Sequence, residues 1–173
     1  FGDNEIVPRS LDSVRDVTPL TAKSEGPRAM WMNGVPSYTI WWLMCQRDYY
    51  MQNGNLEYLK EQKEYIKELA PVLCSLVKDD GSENFPEWRF LDWPTNDDPV
   101  AKHCGLQGLL SLGLGTVAYF CDIFGEEEIA NECRAKMDLM KKHIPELKAK
   151  SASSVLALSG IVDAKKIDDE VLS

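Results

Sequence analysis

Positive charge is in short supply in this sequence. Against 28 aspartates and glutamates stand 19 lysines and arginines, a formal charge of −9. The lysines fall mostly within Lys60–Lys67 and Lys136–Lys150, interleaved with glutamates at helical spacing. That mixture is a solvated helix face, not a basic stripe, and it excludes nucleic acid as the natural partner. CxxC spacing is also missing. Cys45, Cys74, Cys104, Cys121 and Cys133 are scattered, four of them within apolar helical patterns, so they read as small buried thiols and not as zinc ligands or a disulfide framework. Asp79, Asp80 and Glu83 lack the spacing of a calcium-binding helix-loop-helix and read as solvated charges. No metal and no cofactor is expected. Neither a methionine nor a positively charged leader stands at Phe1; the expectation is that processing or excision removed the true start, which leaves the compartment unread.

What is present suits a packed core. The 173 residues are 44% apolar and 27% charged, values of a globular chain. Two kinds of helical pattern alternate. A short one runs from Glu5 to about Asp16. A second, from Pro36 to about Gln52, has Pro36 in its first turn and is apolar nearly all round, which predicts burial on both sides. Trp41 and Trp42 there read as core rings, and Arg47 and Asp48 as paired with neighbours. Asn53-Gly54 ends it. Leu56 to about Asp79 is one-sided, with Leu59, Ile66, Leu69, Leu73 and Leu76 in the stripe, and Pro71 is expected to kink or split it. From about Val100 to Phe124 the chain is again apolar. Although this segment nominally reaches membrane-span length, His103, Gln107, Ser111 and four glycines argue for a soluble core helix whose glycines admit neighbouring backbones. Glu126–His143 is one-sided once more, and Ser151–Leu158 followed by Asp163–Leu172 repeats the theme weakly. The fold class predicted is all-α, built of antiparallel αα-hairpins, with the two charge-free helices side by side inside the two charged ones.

Between these helices, Glu83 to Pro99 reads ENFPEWRFLDWPTNDDP. Three prolines forbid a regular element, and Phe85, Trp88, Phe90 and Trp93 need surfaces to rest on, so the loop is expected to fold against helix ends and to hold Asp92 in place. In antiparallel stacking this loop and Val17–Val35 meet at the N-termini of the buried helices. A surface lined by Trp31, Asn33, Tyr38, Trp88, Asp92 and Trp93 suits carbohydrate, because flat rings cover the apolar face of a pyranose while polar groups take its hydroxyls. Each residue also has a plainer reading: Trp88 as core packing, Asp92 as a turn cap or a partner of Arg89, and His103 as a satisfied core imidazole.

Three segments, WMNGVPSYTIWW, QRDYYMQNGNLEYLKEQKEYI and RFLDWPTNDDPVAKHCGLQGLL, closely resemble the helical-toroid catalytic region of bacterial α-L-rhamnosidase-like glycoside hydrolases. The resemblance spans residues 1–173 and is strongest from Trp31 to Leu110. It implies about half of an (α/α)6 toroid, a parent enzyme that hydrolyses α-L-rhamnosides or related deoxy-sugar glycosides with inversion, and a periplasmic or extracellular parent. By the same resemblance Asp92 accepts sugar hydroxyls and Trp93 walls the ring, while Trp31, Asn33 and Tyr38 of the WMNG-x-PSY block and His103 of the H-x-GLQ block line the pocket. Leu91 stands where a glycine is usual. Inverting hydrolysis needs an acid and a base about 6.5–9.5 Å apart, and the resemblance places both outside these residues. The chain is therefore expected to hold no catalytic residue, to be inactive alone, and to pair with the remainder of its parent domain or with itself. Glu83, Glu87, Asp97 and Asp98 are substitutes on composition alone. A non-catalytic helical-repeat interaction module and a toroid enzyme with another carbohydrate substrate are the competing classes.

Overall fold

The computed structural model describes residues 5–18, 31–86 and 88–172. Among them the structure is helical: α1 (Ile6–Asp16), a 3-10 turn (Met32–Gly34), α2 (Pro36–Asn53), α3 (Leu56–Glu61), α4 (Lys63–Ser75), α5 (Pro99–Phe124), α6 (Glu127–Met140), α7 (Lys150–Leu158) and α8 (Ala164–Ile167), which runs on into a π-type turn, Asp168–Leu172. The all-α expectation holds. Much of the stretch Val17–Val35 lies outside the described residues.

Helix α5 is the centre. Pro99 opens it, the Asp98 carboxylate accepts the N–H groups of Val100 and Ala101, both at 3.0 Å, and left-handed Gly125 closes it. Leu106, Leu109, Leu110, Leu114 and Phe120 are fully buried. By length and composition α5 is apolar enough to cross a membrane, yet 83% of its most apolar 18-residue window is buried within the fold. Helices α2, α4, α6 and α7 all pack on it, and α4 also packs on α6.

The α5 glycines explain how three of these neighbours, α2, α6 and α7, fit. A Cβ on Gly108 would stand 2.6 Å from Leu156 Cα and 2.7 Å from the Val155 carbonyl oxygen, so α7 approaches backbone to backbone. Gly113 faces Ile40 of α2, and Gly115 faces the flexible end of Met137 of α6. Beyond α5, the turn at Gly125–Glu126 is tied to α4, because the Glu126 carboxylate takes Lys63 Nζ at 2.7 Å and Lys67 Nζ at 3.1 Å.

Three expectations need correction. The chain breaks at Gln62 and not at Pro71, which α4 carries in its interior. Gln62 is buried, donating to Asp12 Oδ1 at 3.1 Å and accepting from Arg15, so a contact with α1 sets the break. Pro71 lies on the exposed side of α4, the side on which a carbonyl without its N–H partner costs least. Helix α4 also stops at Ser75 and not at Asp79, because Val77 pairs with Glu83 in an antiparallel bridge around a turn at Lys78–Ser82. Lastly, α2 is buried on one side only. Ile40, Trp42 and Leu43 face the core, Trp42 meeting Tyr65 edge-on at 5.3 Å, whereas Trp41, Cys45 and Met51 are exposed because no described residue covers that face.

The glycine contacts give opposite predictions for one chemical change. Gly108→Ala should destabilise the chain by about 1–3 kcal/mol, because backbone cannot move aside. Gly115→Ala should be neutral or stabilising by up to about 1 kcal/mol, since Met137 can swing away and alanine favours helix. Urea unfolding of both variants checks the pair; equal losses would contradict the packing.

Candidate functional site

The loop between α4 and α5 folds back through short local bonds. Lys78 N–H donates to Ser82 O at 2.9 Å, Asn84 N–H to Leu76 O at 2.8 Å, and Asp80 Oδ1 accepts both the N–H and the hydroxyl of Ser82. Gly81 takes a positive φ of 83° and lies so close to α6 that a Cβ would stand 2.3 Å from Leu139 O. These contacts carry Glu83 into the interior.

Glu83 is the anchor of the site. Its side chain is fully buried. Oε1 accepts from Arg89 Nη2 and, at 2.6 Å, from His103 Nδ1; Oε2 accepts the Phe85 N–H at 3.1 Å. Burial pushes this carboxyl up, but the His103 hydrogen bond, the Phe85 N–H and the Arg89 charge outweigh it and hold the group below its ordinary value. His103 Nε2 meets His143 Nε2 at 2.8 Å. An ionised Glu83 only accepts, so His103 Nδ1 is the donor to it, and at the second contact one Nε2 donates to the other. Gln107, one turn after His103, completes the junction: its Oε1 accepts the Glu83 N–H at 2.8 Å and its Nε2 donates to Gly81 O at 2.9 Å and Met140 O at 3.2 Å. Beside this network lies a cavity of about 150 Å³ lined by Lys78, Glu83, Asn84, Phe85, Arg89 and His103.

The aromatic half of the loop lies next to it in sequence. Phe90 is buried and gathers three rings: Tyr38 at 6.1 Å, Trp88 at 5.6 Å and Trp93 at 5.1 Å. Their outer surfaces are open, with Tyr38 38%, Trp88 45% and Trp93 74% exposed. Tyr38 belongs to the first turn of α2, so the loop does meet the start of that helix.

The six predicted site residues therefore separate. Tyr38 and Trp93 share the aromatic cluster, and His103 belongs to the Glu83 network. Trp31 is 4% exposed and packs in the core. Asn33 is exposed and, with Gly34, adopts the left-handed conformation, φ 55° and 69°, that turns the chain into α2. Asp92 is a turn cap: Oδ1 accepts the Thr95 N–H at 2.9 Å and hydroxyl at 2.6 Å. Burial raises its carboxyl, yet hydrogen bonds from Thr95 and Ser151 bring it below the ordinary value. Trp88 sits at the surface and not in the core. Of the acids considered as substitutes, Asp98 caps α5, Asp97 is exposed and accepts from Asn96 Nδ2 at 3.1 Å, and Glu87 lies outside the described residues. Among the described residues no three His, Cys, Asp or Glu side chains are placed to hold a metal.

Sequence reasoning took Glu83 for a solvated charge and Arg89 for a partner of Asp92, whereas the two pair with each other and Glu83 is buried; His143 it missed. Gln107 was a usable signal, because His103 and Gln107 put two polar groups one turn apart on a buried helix and so demanded a polar partner from outside it.

No protein-family model matches the chain, nor does any curated protein or solved structure.

Because Glu83 titrates below its usual range in the folded chain, its contribution to stability is complete above the unfolded value, near 4.5, and is lost as pH falls through the depressed folded value. Glu83→Gln should cost about 1–3 kcal/mol at pH 7, since Arg89 and His103 lose a charge-assisted acceptor. The variant should also show a flatter decline of stability below pH 4.5 than the parent chain. Urea midpoints measured from pH 3 to pH 7 check both statements.

Proposed function

We propose that the chain is the sugar-binding portion of a helical-toroid glycoside hydrolase of the α-L-rhamnosidase-like kind. On this reading α2 with α3 and α4, α5 with α6, and α7 with α8 are three αα-hairpins making about half of an (α/α)6 ring. The observation that carries it is the open aromatic cluster in which Tyr38 of α2 joins Trp88 and Trp93 around Phe90, the last three on the same loop as the Glu83-anchored pocket. Amphipathic rings beside fixed polar groups are what a pyranose requires: an apolar face to lie on and donors for its hydroxyls.

Two further observations support the reading. The helices on either side of α5 keep apolar side chains in water, Trp41 and Met51 on α2 and Leu158 on α7, as inner helices of an interrupted ring would. Also, three acids of the loop already have partners: both oxygens of Glu83 are engaged and Asp92 and Asp98 accept backbone N–H groups, which suits a role in positioning the loop. In this scheme Trp93 walls the sugar, Asp92 holds the 92–95 turn that presents it, and the hydrolytic acid and base come from the remainder of the parent domain.

Titration of the chain with L-rhamnose, followed by tryptophan fluorescence and ligand-observed NMR, tests this. Saturable binding is expected, weakened about tenfold or more by Trp93→Ala, together with no product from an aryl α-L-rhamnoside at any pH. A chain that binds no sugar would sink the reading, and hydrolysis by rigorously purified chain would place the acid and base within it.

A further inference from the structure

The Glu83 pocket opposes the rest of the molecule in sign. In a chain of formal charge −9, its cavity of about 150 Å³ is lined by Lys78, Arg89 and His103, with Asn84 and Phe85, and by a single acid. That acid is fully engaged. Glu83 is held by Arg89, His103 and the Phe85 N–H, and His103 is turned onto Glu83 at one nitrogen and onto His143 at the other. Two cations remain with capacity to spare. Arg89 gives Glu83 only Nη2, its Nε is buried without a partner, and its side chain is 36% exposed. Lys78 is exposed and makes no ion pair among the described residues. In the cavity lining, Glu83 is set against Arg89 and Lys78, with Asp80 acting on Lys78 from outside the lining, a balance that suits a monoanion. A dianion would meet the buried carboxylate at close range.

We infer that this pocket receives the carboxylate of an acidic sugar, a uronate or similar carboxylate-bearing pyranose, seated between Arg89 and Lys78 with its ring carried outward over the neighbouring aromatic cluster. The inference rests on the carbohydrate reading above and names the sugar class. Arginine suits the role because its planar fork matches a carboxylate, and Glu83 fixes that fork before a ligand arrives. On this placement the ring is carried toward Trp88, adjacent to Arg89 in sequence, which offers a half-exposed face.

The test is a panel of D-glucuronate, D-galacturonate, the matching neutral sugars, L-rhamnose and acetate, measured by ligand-observed NMR and tryptophan fluorescence on the intact chain. Uronates should bind about tenfold or more tighter than their neutral counterparts, the worth of one charge-assisted contact. Arg89→Gln should erase that preference. Lys78→Met, on an exposed side chain that no fold contact needs, should reduce it severalfold, and Trp88→Ala should weaken uronates far more than acetate. Equal binding of uronate and neutral sugar, or a preference untouched by both Arg89→Gln and Lys78→Met, overturns the inference and leaves the carbohydrate reading intact. Acetate binding as tightly as uronate overturns it as well, by showing a site for free small carboxylates. No binding by any sugar removes the carbohydrate reading and this inference together.

Discussion

A carboxylate leaves water only when donors replace the water it loses, and the arrangement around Glu83 is governed by that requirement. Its partners come from separate places in the chain: Phe85 and Arg89 from the same loop and His103 from the first turns of α5, with His143 beyond α6 behind His103. Satisfying one buried charge therefore fixes the relative positions of three segments. Gln107 reinforces the same junction with neutral bonds to backbone on both sides of it. The loop needs no regular secondary structure to be well placed.

The helical frame makes that junction possible. Helix α5 brings His103 and Gln107 to one end of a largely apolar core, and its glycines let α7 press against it closely. The polar groups sit at the end of the bundle, where water reaches the cavity but not Glu83. Ion pairs elsewhere, such as Lys63 and Lys67 with Glu126, are partly exposed and contribute less than the buried set.

Local chemistry was legible in the sequence, and long-range chemistry was not. Pro36, Gly54 and Gly125 marked helix ends correctly because each acts through its own backbone dihedrals, whereas Pro99, read as the last loop residue, opens α5. The α5 glycines announced close approach, although not which helix would approach. Pro71 misled, since its effect depends on whether water reaches one carbonyl, while the break at Gln62 depends on Asp12 and Arg15 some 50 residues earlier. Glu83 resembled any loop acid because neither of its side-chain partners, Arg89 and His103, stands at a spacing that signals contact, and His143 is more distant still. Asp92 stood out as a single residue, and the structure gives it the plainer of its two readings, a turn cap. Trp31 and Trp88, both read as lining one surface, separate: Trp31 enters the core while Trp88 stays at the surface against Phe90, a choice that no pattern encodes.

The same loop combines a buried charge with exposed rings, and the two features depend on one another. Exposed tryptophans on a slack loop would collapse onto apolar surface or would have to be ordered when a ligand arrives, and that ordering subtracts from affinity. Here Glu83 clamps the loop at one end, the Asp98 cap fixes the other to α5, and the Asp92–Thr95 turn sets the segment that carries Trp93. Phe90, buried at the midpoint, gives Tyr38, Trp88 and Trp93 a common apolar support while their outer faces stay in water. Ordering is thus accomplished during folding, by contacts that no ligand needs to touch. A surface prepared in this way can give nearly all of its contact energy to whatever lies against it.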